Sequence, residues 1–130
     1  DHSQRHLGEH ALLLRLYRWL LALRHDNPAL TNPRRADTTV YADTDARIVG
    51  LERRDGAHAL RIVLNFHTSQ QQTLTLPASP SNWSRLCDSS AADWRPDGVS
   101  AATAPEALPI DTPSPVTLPP LSFVIYTRSP

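Results

Sequence analysis

Ala59–Phe66 reads ALRIVLNF, an apolar run rich in β-branched residues and bounded by turn signals. Such a run predicts a strand buried near the centre of a sheet. Asp55-Gly56, just before it, marks a hairpin that joins it to Arg47–Arg53, a strand carrying Ile48, Val49 and Leu51. Farther upstream, Asp43-Thr44-Asp45 reads as a turn and Thr38–Ala42 as another strand. Asn65 closes the central run and is followed by HTSQ, which places it at an edge or turn position. There its short amide side chain is expected to bond the backbone.

Downstream, QTLTL at Gln72–Leu76 alternates cleanly and Pro77 stops it. Trp83–Cys87 predicts a short strand. Between Asp88 and Thr117 the text is Ser, Ala, Pro and Asp with few large apolar residues. A loop of that length is unusual inside a domain, so one or two short strands are expected there, with Ala107–Ile110 best placed. LPPLSFVIYT, Leu118–Thr127, has a Pro-Pro lead-in and high β propensity, and reads as the closing strand. The count is seven or eight strands with no βα alternation and no internal repeat. The expected fold is therefore mainly β: one N-terminal helix, then an antiparallel Greek-key β-sandwich.

The helix is expected over Glu9–Asn27, EHALLLRLYRWLLALRHDN. On a wheel of about 100° per residue, Ala11, Arg15, Arg18, Ala22 and His25 fall on one stripe roughly 80° wide. Leucines, Tyr17 and Trp19 fill most of the remaining circumference. A helix on one small domain needs a single apolar face of somewhat over 100°, so this one is expected to pack on two sides. Leu13, Leu14, Tyr17, Leu20 and Leu21 are the candidate contacts with a second body. Asn27-Pro28 ends the helix, and Arg24 and His25 favour the negative end of its dipole. The organisation expected is a linker and helix over residues 1–28 and a β-sandwich over residues 29–130.

The 130 residues suffice for one domain with a core. Thirteen basic residues, all of them Arg, balance thirteen acidic ones. No electrostatic footprint for nucleic acid or an anionic membrane results, and no apolar run reaches the roughly 18 residues that span a bilayer. Residues 1–8 are too polar and His-rich for a signal peptide, and no Met opens the chain. It is expected to begin inside a longer protein. A lone cysteine, Cys87, cannot form an internal disulfide and fits a reducing, cytoplasmic setting.

Catalytic templates find little purchase. Asp37, Asp43, Asp45, Glu52, Asp55, Asp88, Asp93, Asp97, Glu106 and Asp111 mostly sit in turn-like text, which turn chemistry explains. No nucleophile elbow or reactive-cysteine signature surrounds Cys87 or any Ser, and the four glycines are isolated, so no phosphate loop exists. His2, His6 and His10 share a helical spacing suited to a metal, but Gly8 interrupts them and no nearby carboxylate or Cys completes a site. No metal or cofactor is expected. Trp83 and Trp94 lie in polar text, where an exposed indole can stack on a sugar ring; packing at the sandwich end or against a neighbouring domain is the favoured reading.

Taken together, HALLLRLYRWLLALRHDNPAL, LRIVLNF, RLCDSSAADW with the Pro and Gly after it, and LPPLSFVIYTR carry a family resemblance. They resemble the last barrel helix and the C-terminal β-domain of the alpha-amylase family of glycoside hydrolases (family 13), in the order that family uses. The resemblance covers most of residues 9–128. It implies a (β/α)8 catalytic barrel upstream as partner, and α-glucans or maltooligosaccharides as its substrate class. The family's nucleophile Asp, acid/base Glu and transition-state Asp lie on barrel strands; no position here matches them, so no catalytic residue is assigned. The function expected is non-catalytic, stabilising the barrel. Two alternatives stand beside it: an α-glucan-binding module using Trp83 and Trp94, and a domain that self-associates through the helix.

Overall fold

The computed structural model describes residues 18, 22, 38–43, 45–56, 58–91 and 98–129. Eight strands make two antiparallel sheets: β1 (Thr38–Asp43), β2 (Ile48–Asp55), β3 (His58–Asn65), β4 (Gln72–Leu76), β5 (Asn82–Asp88), β6 (Ala107–Leu108), β7 (Ser114–Leu118) and β8 (Ser122–Ser129). The large sheet has six strands in the order β1-β2-β3-β8-β5-β6, and β4 and β7 pair as a second, two-stranded sheet. The chain changes sheet four times, between β3 and β4, β4 and β5, β6 and β7, and β7 and β8, so β3 pairs with β8 in one layer and β4 with β7 in the other. This is the expected mainly-β, antiparallel architecture. The N-terminal helix lies outside the described residues, apart from Arg18 and Ala22, both exposed.

β3 sits at the middle of the large sheet, flanked by β2 and β8, as its apolar run predicts. Its inward residues Ala59 and Val63 join Ile48, Leu74, Leu76, Trp83, Ala104, Leu108, Val116, Leu118, Val124 and Tyr126 in the core between the sheets. Gly50 in β2 lets those sheets meet: a Cβ there would stand 2.8 Å from Leu74 Cδ2 and 3.3 Å from Leu76 Cδ2. Tyr126 is fully buried and its hydroxyl donates to Pro105 O at 2.7 Å, which settles its polar end.

Turn chemistry acts where expected, with shifts of a residue or so. Asp43 Oδ1 accepts Ala46 N–H at 3.1 Å, and Arg47 closes the turn with φ 58. Arg47 therefore belongs to the turn, and β2 begins at Ile48. Asp55 pairs with His58, so the hairpin connection starts at Gly56, whose φ of 60 suits a residue without a Cβ. At the chain's end, Leu118 finishes β7 and is not the start of the last strand. Pro119 to Leu121 form the connection, and β8 starts at Ser122. Pro115 sits within β7, where its missing N–H is tolerated because β7 pairs on one side only.

Phe66, expected at the end of the central strand, lies just past it and is 56% exposed. Asn65 does bond the backbone, at the turn position that ends β3, and it does so buried. Its Nδ2 donates to Leu118 O at 3.0 Å, Pro119 O at 3.0 Å and Gln70 O at 3.1 Å, and its Oδ1 accepts His67 N–H at 2.9 Å. One side chain thereby ties the β3 end to both of its following connections.

Candidate interaction surface

Alternation along the strands assigns each side chain of the large sheet to one of two faces. The inward face meets β4 and β7. Toward the β2–β3 hairpin that two-stranded sheet runs out, and polar residues finish the layer. Glu52 and Arg61 are direct cross-strand partners, both buried, with Arg61 Nε donating to Glu52 Oε1 at 2.7 Å. Arg54 also pairs with Glu52 and donates to Thr39 Oγ1 at 3.3 Å. Arg61 further donates to Pro77 O at 3.2 Å, and its guanidinium lies 4.6 Å from the centroid of the Trp83 ring. A buried ion pair of this kind stands only because each charge has several partners.

Trp83 is thus placed inside the sandwich at 2% exposure, against Arg61 and opposite Leu108 of β6. In this position its indole offers no open face for a sugar ring. Trp94 lies outside the described residues, as do Leu13, Leu14, Tyr17, Leu20 and Leu21 and the triad His2, His6 and His10. Among the described residues, no group of three or more His, Cys, Asp or Glu side chains is placed to hold a metal. No helix among them is long and apolar enough to cross a membrane.

Asp88 has the most unusual carboxylate setting described. It is buried at the end of β5, with Oδ1 accepting Ser90 N–H at 2.8 Å and Oδ2 4.0 Å from Arg85 Nη1. Burial raises its pKa above the ordinary value, partly offset by the Ser90 hydrogen bond and by Arg85. The bond makes it a turn former, as its sequence setting suggested. The next residue, Ser89, continues the ladder to β8 by exchanging bonds with the Phe123 backbone. A carboxylate so enclosed supports the fold at the end of β5.

The outward face of the large sheet is the surface without an explanation inside the sandwich. Reading across the registers, Val40, Leu51, Ile62, Ile125 and Cys87 form one row, and Val49, Leu64 and Phe123 the next. Leu60 lies beside them. Exposed Val40, Phe66 and Leu121 stand around its rim, at 59%, 56% and 67%. An antiparallel sheet with one face in water shows polar residues there; this sheet is apolar on both faces, as in a sheet covered on both sides. The sequence signal was present in ALRIVLNF, whose alternate positions Leu60, Ile62, Leu64 and Phe66 are all apolar, but only the strand registers collect the row.

No protein-family model matches the chain. Over 66 residues, 51% of its length, it is 41% identical to the malto-oligosyltrehalose trehalohydrolase of Rhizobium sp. (strain M-11). The fold matches trehalulose synthase MutB from Pseudomonas mesoacidophila MX-45, with a TM-score of 0.57 and 21% identity over 87% of this chain. It also matches isomaltulose synthase from Erwinia rhapontici NX5 in complex with sucrose, with a TM-score of 0.59 and 22% identity over 88% of this chain. The chain spans 10% of the trehalohydrolase and 17% of each synthase. These findings bear out the resemblance to the C-terminal β-domain of alpha-amylase-family enzymes.

Proposed function

We propose that residues 29–130 are the non-catalytic C-terminal sandwich of an α-glucan-acting glycoside hydrolase resembling malto-oligosyltrehalose trehalohydrolase. Residues 1–28 are a linker and the last helix of its (β/α)8 barrel, and the whole acts in the cytoplasm. Its work is to cover apolar barrel surface and hold that helix in place. The observation that carries this reading is the apolar outward face of the large sheet, which a free-standing sandwich has no use for. Burying one Leu fully contributes roughly 1.5–3 kcal/mol, so a few rim residues supply an amount comparable with a domain's net stability of about 5–15 kcal/mol.

The test is made in the full-length parent enzyme, with Phe66→Asp and Leu121→Asp on the exposed rim. Soluble yield and Tm should fall while kcat per folded molecule stays within about twofold. Unchanged yield and Tm would refute the stabilising role. The carbohydrate-binding alternative rests on Trp94, because Trp83 is enclosed in the core. Titration with maltoheptaose separates the two: binding lost in Trp94→Ala supports the module, and no binding at millimolar sugar removes it.

A further inference from the structure

A histidine side chain closes the loop between β3 and β4. His67 is half-buried, and its Nδ1 accepts Gln70 N–H at 3.0 Å and Ser69 N–H at 3.2 Å. Both bonds need the lone pair on Nδ1, so the ring is neutral and carries its proton on Nε2. Asn and Ser, commoner formers of such turns, accept through an oxygen that does not titrate near neutral pH. An imidazole takes up a second proton between about pH 5 and 8, and here that proton would point from Nδ1 at two other donors. We infer that His67 is a pH-sensitive latch, which holds residues 67–70 closed while the ring is neutral and releases them when it is charged.

The latch reaches beyond its own turn. His67 N–H donates to Asn65 Oδ1 at 2.9 Å, and Gln70 O accepts Asn65 Nδ2 at 3.1 Å. His67 O accepts Leu121 N–H at 3.1 Å, which joins the loop to the connection between β7 and β8. Leu121 has φ 51, a left-handed conformation that a side chain of its size rarely adopts. It is kept there by His67 O and, through Pro119 O, by Asn65 Nδ2 at 3.0 Å and Ser122 Oγ at 2.7 Å. Opening the latch therefore loosens the two segments that present Phe66 and Leu121. That consequence for docking rests on the proposed function, whereas the latch itself rests on these bonds alone.

Few other groups at this end of the sandwich respond to pH. Among the described residues, the segments 66–76 and 114–122 contain no second charged or titratable side chain. The β1–β2 turn comes next, where Arg47 O accepts Phe66 N–H at 2.8 Å and where Asp43 and Asp45 stand, all three exposed. An ordinary carboxylate titrates near pH 4 and an arginine only above about pH 12, so the interval from pH 8 to 5 isolates an imidazole.

The test follows the His67 ring and the loop amides of the full chain by NMR. At pH 8 the ring should show a protonated Nε2 and a bare Nδ1; the opposite tautomer would overturn the latch. Between pH 8 and 5, the exchange protection of Ser69 and Gln70 N–H, corrected for its intrinsic pH dependence, should fall about fivefold as the ring is charged, as a hydrogen bond of ordinary net strength implies. His67→Asn, whose Oδ1 accepts the same two bonds and gains no proton, should keep its protection throughout, and His67→Ala should lack it at both ends. A ring still neutral at pH 5, or protection that persists once it is charged, would overturn the inference. So would an equal fall in His67→Asn, which assigns the pH response to another group. Because these amides report on the loop alone, a failure of Phe66→Asp and Leu121→Asp in the parent enzyme removes the docking role and leaves the latch standing.

Discussion

Arg61 and Glu52 face each other across β3 and β2, joined at 2.7 Å, with side chains only 3% and 8% exposed. They occupy inward positions where a sandwich ordinarily places apolar residues. Removing one partner leaves the other charged and enclosed. Glu52→Ala should therefore destabilise the chain by about 3–5 kcal/mol, measured as a fall in the urea midpoint. Replacing both together, Glu52→Leu with Arg61→Met, should recover most of that loss. Equal destabilisation by the single and double variants would show that the pair's packing, not its charge, matters.

Gly50 is a tolerance built to the width of a hydrogen atom. Its missing side chain is where Leu74 and Leu76 approach β2. Gly50→Ala should cost roughly 1–3 kcal/mol through overpacking, and pairing it with Leu74→Ala should return part of that. Thermal unfolding of the three variants measures the coupling. Strict additivity would mean that the sheets separate freely to admit the methyl group.

Asn65 directs two N–H groups at three carbonyls and one oxygen at a backbone N–H. Asn65→Asp keeps the shape and the acceptor but turns a second oxygen, lacking any proton to donate, toward the carbonyls. It should lower stability more than Asn65→Ala, by several kcal/mol, since each unsatisfied buried group costs about 1–3 kcal/mol. Comparing the two melting temperatures near neutral pH decides it. Asp equal to Asn would indicate that the carbonyls are served by water.

The burial of Asp88 gives a pH dependence with a definite sign. Its pKa is raised by folding from an ordinary value of 3.8, so the folded state favours the protonated form. The contribution is fully present below that ordinary value and is lost as pH rises through the raised one. Asp88→Asn keeps an acceptor for Ser90 N–H and has no proton to lose. The difference in Tm, variant minus wild type, should thus increase as pH climbs from about 4 upward. A difference that shrinks over the same range would mean that Arg85 outweighs desolvation.

Much of the strand order could be read directly. QTLTL became β4 with the same bounds, because clean alternation needs no tertiary information. ALRIVLNF became the middle of the large sheet because Leu60, Ile62 and Leu64 are apolar on one face while Ala59 and Val63 enter the core on the other. Arg61 within it, and Glu52 in β2, were not legible as a pair, since residues far apart in sequence become partners only through the hairpin register. Packing is the favoured reading of Trp83 in the sequence, and the indole is buried although its neighbours are Asn82, Ser84 and Arg85. Those are the outward and half-buried positions of an alternating strand, and the indole takes the inward one. β7 was hidden for a different reason. Its SPVTL text carries Pro115, which argues against an interior strand and is harmless at an edge. Its last residue, Leu118, was drawn into the following strand by the prolines that in fact separate them.

The position of β8 has a consequence for how the molecule comes into being. This strand is the seam of the large sheet: on one side it holds β3, and on the other β5 with its bulge between Arg85 and Cys87. Until it docks, β1–β2–β3 and β5–β6 are separate flaps with raw edges, although their residues were all made earlier. During synthesis the two flaps have to wait for β8, the latest made of the eight described strands. Over that interval their open edges invite pairing with a neighbouring nascent copy, and a chaperone that shields such edges would have its greatest effect then.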